Sequence, residues 1–116
     1  MRIASGTYME KEVLDADYDS VISTYYGDEQ VVAVIMVKVD TKVADKTAQE
    51  VADFDSVEDI FMVTGDTDLI IKARFGNYKE LKQFVVNGLG KLEGIKETKT
   101  LMVVSTYKEK GIKKEA

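Results

Sequence analysis

The run Val31-Val-Ala-Val-Ile-Met-Val-Lys-Val-Asp40 is rich in β-branched residues and apolar at both alternating sets of positions. Successive side chains of a strand point to opposite faces, so a run without polar alternation reads as a strand covered on both sides. The rest of the chain must supply those two covers. Downstream, Val43, Ala44, Ala48, Val51 and Ala52 fall at helical spacing behind Asp40 or Thr41, either of which can cap the helix, and this helix covers one side. A second strand is expected from about Val57 to Thr64 and a third from Leu69 to Phe75. Asn77 with Glu80 three residues later makes a capping-box-like start to a second helix, whose buried stripe is Leu81, Phe84, Val85, Leu89 and Leu92. Gly88 and Gly90 weaken its end, Gly94 terminates it, and a last strand runs from roughly Ile95 to Tyr107.

Strand, helix, strand, strand, helix, strand is the split βαβ order of a ferredoxin-like α+β fold: a four-stranded antiparallel sheet with both helices on one face. The other face then presents Val32, Val34 and Met36 beside Ile70, Leu101 and Val103 or their neighbours, a contiguous apolar patch on an isolated protomer. Each large apolar side chain fully buried contributes about 1.5–3 kcal/mol, so sheet-to-sheet dimerisation has ample drive.

A chain of 116 residues, 45% hydrophobic and 32% charged, is one domain's worth of soluble globular protein. No apolar run is long enough to span a membrane and Arg2 is followed by no continuous apolar segment, so the expected location is cytoplasmic. The absence of cysteine and histidine removes disulfides, thiolate metal sites and the commonest general base, and no nucleophile is paired with an activating base. No cofactor and no catalysis are expected. The net charge of -5 is placed unevenly: residues 1–30 carry seven acids against Arg2 and Lys11, and the remainder is balanced. An acidic segment before a neutral domain argues against direct contact with nucleic acid. Three regions follow: an acidic segment 1–30 of unassigned structure, a domain 31–107, and a charged tail 108–116 that reads as frayed and solvated.

The chemistry-bearing stretch is Gly65-Asp-Thr-Asp68, a hairpin turn between two apolar strands. Gly65 adopts positive φ without a Cβ penalty and lets neighbouring N–H groups face an anion, while Asp66 or Asp68 holds a cation close by. A zwitterion needs that pairing. The same four residues also read as a plain polar turn. Two carboxylates alone fall short of a calcium site, so no metal is expected.

From Val31 onward the chain resembles the ligand-binding (RAM) domain of the Lrp/AsnC family of regulators. The resemblance is carried by Val63-Thr-Gly-Asp-Thr-Asp-Leu-Ile-Ile-Lys-Ala-Arg-Phe75, by Leu81 to Phe84, by Leu92-Glu-Gly-Ile95 and by Thr98-Lys-Thr-Leu-Met-Val-Val104. Members of that family typically carry an N-terminal helix-turn-helix, which is not seen here, so the chain looks like the stand-alone form. The resemblance implies dimers with sheets face to face, assembly of dimers into larger octamer-type rings, a free amino acid as effector between dimers, and mixed assembly with full-length relatives. It implies an effector site of Gly65, Asp66, Thr67 and Asp68 in the turn, with Phe61, Tyr78, Thr98, Thr100, Leu101, Met102 and Val103 around it. In that set the turn N–H groups and threonine hydroxyls take the carboxylate, Asp68 takes the ammonium, and apolar walls select the side chain. The apolar members also read as core or dimer interface, and Thr98 and Thr100 as ordinary strand residues.

Two other functions share this pattern: an enzyme of the dimeric α+β barrel type, and an interaction module that binds no small molecule. Dimerisation is the first expectation to test. Light scattering at micromolar concentration is expected to give a dimer or larger, and a well-behaved monomer would defeat it.

Overall fold

The computed structural model describes residues 30–114; apart from Gln30, the acidic segment lies outside the described residues. Strand β1 (Val31–Val39) leads through a single 3-10 turn (Thr41–Val43) into helix α1 (Ala44–Ala52). Strands β2 (Val57–Met62) and β3 (Leu69–Phe75) follow, then helix α2 from Tyr78 to Lys91 and strand β4 (Ile95–Met102). The four strands form one antiparallel sheet in the order β2-β3-β1-β4. Both helices supply the same core, so the ferredoxin-like α+β arrangement expected from the sequence is the observed one.

The first strand is central, hydrogen-bonded to β3 on one edge and β4 on the other. Val31, Ala33, Ile35, Val37 and Val39 face the helices and are buried, as are Leu69, Ile71, Ala73 and Phe75 of β3. On the opposite, open face Val32, Val34 and Met36 are only half-buried and Lys38 is exposed. Cross-strand register interleaves this row with charge, since Val32 stands opposite Arg74 and Val34 opposite Lys72, while Met36 stands opposite Ile70. The open face is therefore ionic at the Val32 end and apolar across Met36 and Ile70, with charge returning beyond Met36 at Lys38 and beside it at Lys99.

Asp40 caps the 3-10 turn ahead of α1, whose own first turn follows Val43 without a side-chain cap, and Asn77 caps α2 directly. Asp40 Oδ1 accepts the Lys42 N–H at 3.0 Å, and Asn77 Oδ1 accepts the Glu80 N–H at 3.0 Å. The reciprocal bond from Glu80 goes one residue further back, to the N–H of Gly76 at 2.9 Å. Helix α2 is not uniform: α-helical turns over Tyr78–Gln83 widen into a π-helical turn (Phe84–Gly88) and tighten into a 3-10 turn (Leu89–Lys91). Four residues on from Phe84, regular α spacing would turn Gly88 toward the sheet; the wide turn absorbs one residue and brings Leu89 into the core instead. Phe84 packs edge-on against Phe54, with centroids 5.1 Å apart.

Strand β1 ends one residue before Asp40 and β2 two before the expected Thr64, and two further boundaries differ more. Strand β4 ends at Met102 rather than Tyr107; one further bond joins it to β1, from the Val103 N–H to the Val32 carbonyl at 2.9 Å. The tail expected to fray instead forms a hairpin of β5 (Lys108–Glu109) and β6 (Ile112–Lys113), turned by Lys110 and Gly111 with φ of 53° and 81°. Glu109 ties it to Lys72 and Arg74 on the open face.

Gly94 ends the segment after α2 at φ 98°, and a Cβ there would lie 2.7 Å from both Thr47 Oγ1 and Val43 Cγ2. Thr47 is itself held, donating to the Glu93 carbonyl at 3.1 Å. Gly94→Ala is expected to cost about 2–4 kcal/mol in chemical denaturation, from backbone strain and overpacking together. Gly65→Ala, at φ 126° with open space around the missing Cβ, is expected to cost only its backbone strain of about 1–2 kcal/mol. Equal costs would refute this reading.

Candidate functional site

The β2–β3 turn is built by its attachment to β1. The Val63 N–H donates to the Asp68 carbonyl at 2.9 Å and closes the loop, with Gly65 in the positive-φ conformation expected of it. The Asp68 N–H and the Thr67 hydroxyl both donate to the Val37 carbonyl, at 3.0 and 3.1 Å. Asp68 Oδ2 accepts the Val39 N–H at 3.0 Å. On the other edge of β1 the Asp40 N–H donates to the Gly94 carbonyl at 2.8 Å. Consecutive amides at the end of β1 thus reach opposite neighbours, and the turn serves as one of them.

Beside this turn, on the open face, lies a cleft of about 210 Å³ lined by Met36, Lys38, Asp66, Thr67, Glu97 and Lys99. Register explains the grouping. Lys38 stands opposite Glu97, and Met36 opposite Lys99, so alternate residues of β1 and β4 emerge together where the turn overhangs them. Two ammonium groups, two carboxylates and a thioether line the cleft. Opposite charges at its walls suit a small ligand carrying both signs, and Met36 with the lysine stems provides apolar contact. Among the described residues, no group of three or more carboxylates converges where a metal ion would sit.

The expected site residues divide across the sheet. Gly65, Asp66, Thr67 and Asp68 are together in the turn, and Asp66 and Thr67 line the cleft. Phe61, opposite Ile70 and 57% exposed, shares the open face with half-buried Leu101 opposite Val34. Val103 follows β4 alongside Val32. Thr98, Thr100 and Met102 stand opposite Val37, Ile35 and Ala33, on the helix side, and Tyr78 is buried there at the start of α2. Thr100 Oγ1 is buried with no hydrogen-bond partner among the described residues. Alternation separates Thr98 and Thr100 from Lys99 and Leu101. The cleft residues not foreseen are Met36, Lys38, Glu97 and Lys99. Lysines interrupting apolar strands were a signal, but only cross-strand register places them beside the turn.

At the opposite end of the open face the C-terminal hairpin overlies a second cleft, of about 230 Å³, reaching from Val32 and Lys72 to Tyr107 and Glu109. Arg74 Nε bonds Glu58 at 2.6 Å and its Nη2 bonds Glu109 at 2.7 Å, while Lys72 contacts both carboxylates. The hydrogen bond from Arg74 holds the Glu58 carboxyl below its ordinary 4.5, and that from Lys72 does the same for Glu109. The bonds to Glu109 and Glu58 respectively raise Lys72 and Arg74, which stay charged.

An antiparallel sheet with its helices on one side and a charge-lined cleft under a polar turn on the other defines an α+β domain of ferredoxin-like type. The chain belongs to the Lrp/AsnC ligand binding domain family, whose sequence profile matches residues 32–112. It is 29% identical to an uncharacterised HTH-type transcriptional regulator of Pyrococcus furiosus, over 86% of this chain and 68% of that protein. It is 31% identical to the uncharacterised HTH-type transcriptional regulator YugG of Bacillus subtilis, over 89% of this chain and 65% of that one. The chain spans about half to two thirds of the length of the curated relatives it matches. A transcriptional regulator of Neisseria meningitidis, solved as its complex with L-Met, superposes with a TM-score of 0.64 at 24% identity, covering 87% of this chain and 67% of that one. That likeness concerns the fold. Among the described residues no helix is long and apolar enough to cross a membrane.

The ion cluster predicts how the hairpin responds to acid. Because both carboxyls titrate below 4.5 in the folded chain, their contribution is complete above that pH and is lost as pH falls through the lowered values. Both are partly exposed, so salt weakens the cluster too. Hydrogen exchange of the Lys114 amide, which donates to the Tyr107 carbonyl at 2.8 Å, is expected to lose protection below pH 4.5. Glu109→Gln should reproduce that loss at neutral pH; unchanged protection would show that the hairpin holds without its charges.

Proposed function

We propose that this domain is a non-enzymatic sensor of a free amino acid, bound in the cleft beside the β2–β3 turn, whose occupancy governs assembly of the protein. The observation that carries the reading is the convergence of Asp66 and Thr67 with Lys38, Lys99 and Glu97 around one cleft of ligand size. A lysine receives the ligand's carboxylate and Asp66 its ammonium, each as a charge-assisted hydrogen bond. Membership of a ligand-binding family supports this, as does the L-Met complex of the Neisseria meningitidis regulator.

The open face supports assembly. Val34, Met36, Ile70 and Leu101 with exposed Phe61 form an apolar tract that a second copy covers, giving a dimer with sheets face to face. Dimers then associate into octamer-type rings near the turns, alone or mixed with full-length regulators, and transcription is modulated through those assemblies. No catalytic step is assigned, and the protein works in the cytoplasm. If the ligand favours the larger assembly, assembly tightens ligand binding by the same factor.

Calorimetry against the standard L-amino acids at millimolar concentration is expected to find a ligand, and Asp66→Ala to weaken it by about tenfold or more. No heat with any amino acid, or undiminished binding by the variant, would reject the site.

A further inference from the structure

Asp66 and Asp68 are two residues apart, yet the fold treats them differently. Asp66 is exposed and lines the cleft; Asp68 is half-buried and is not among the cleft's lining residues. The paired register of β1 and β3 ends at Val37 opposite Leu69, two residues before β1 does. Val39 is 3% exposed, and its N–H points to the β3 edge, where the chain has already turned away. A buried amide without an acceptor is costly, and Asp68 Oδ2 supplies that acceptor at 3.0 Å.

We propose that Asp68 is a positioning residue, standing in for the missing strand acceptor at Val39 and so fixing the turn, while Asp66 alone of the two meets the ligand's ammonium. With the Thr67 hydroxyl and the Asp68 N–H both on the Val37 carbonyl, three hydrogen bonds anchor residues 67 and 68 to the end of β1. Asp66 immediately precedes this anchor, so its direction into the cleft follows from it. Lys38, on the cleft's other wall, lies between the two anchored positions and beside the register shift in the β1–β4 pairing. The clamp therefore sets both the anionic and the cationic wall. The division of roles rests on the amino-acid reading of the cleft, whereas the clamp at Val39 does not.

Charge and acceptor are separable by substitution. Asp68→Asn keeps a side-chain oxygen for the Val39 N–H and removes the charge; Asp68→Ala removes both. Backbone hydrogen exchange at Val39 and calorimetry with the standard L-amino acids are measured on wild type, both Asp68 variants and Asp66→Asn. Asp68→Asn is expected to retain Val39 protection and bind within about threefold of wild type, while Asp68→Ala loses protection and weakens binding by about tenfold or more. Asp66→Asn is expected to keep Val39 protected, as Asp68→Asn does, but to lose affinity. Equal losses of affinity in Asp68→Asn and Asp68→Ala, with Val39 protected in the former, would make Asp68 a ligand group and overturn the assignment. Unchanged Val39 exchange in Asp68→Ala would overturn the clamp. Should wild type bind no amino acid, the sensor reading falls, and the exchange data still decide the clamp.

Discussion

Everything in this domain is arranged around the demand of β1 for partners in four directions. Its two edges need hydrogen bonds, supplied by β3 and β4, and its two faces need apolar cover. The helices satisfy one face with a core in which Ala33, Ile35 and Val37 are fully buried. The other face is met only in part within one protomer. Lys72 and Arg74, standing opposite Val34 and Val32, keep half of it ionic and recruit Glu58 and Glu109, and the other half is apolar across Met36 and Ile70 but charged along Lys38, Glu97 and Lys99. That asymmetry gives the open face two distinct ends, one tied to the C-terminal hairpin and one beside the turn.

The turn shows how a short polar loop becomes a built element. A hairpin tip alone is a weak platform for recognition, since its backbone is free to fluctuate. Here hydrogen bonds from two successive residues reach the neighbouring strand, and one of them uses a side-chain carboxylate where the strand has run out. Site and scaffold are thus adjacent in sequence but distinct in role. The cleft walls carry equal numbers of positive and negative groups, so a ligand with one charge of each sign enters without leaving a net charge desolvated.

Much of the fold was legible because period and capping agree locally. The limits of β3 match their expected residues, β1 falls one residue short, and Asp40 and Asn77 cap as anticipated. The wide turn in α2 was not legible, since it answers to which residue, Gly88 or Leu89, must reach the core, a question only packing poses. The hairpin at Lys108–Lys113 was hidden for a similar reason. Four lysines read as solvated tail until Lys72 and Arg74 are seen to offer Glu109 its partners. For the site, the turn was visible as a motif, whereas Lys38, Glu97 and Lys99 required register. The alternation that places Thr98 and Thr100 on the helix side was available, but it argues only once the faces are known.

The central position of β1 also bears on how the chain comes together during synthesis. Both strands that flank it lie later in the sequence, and β4 is separated from it by both helices and by β2 and β3. The greasiest segment of the domain therefore leaves the ribosome before both strands that pair with it and waits, unpaired, for them to follow. Such late, long-range closure slows folding and leaves nascent chains prone to sticking together, which makes concentration at the polysome and chaperone supply a natural constraint on yield.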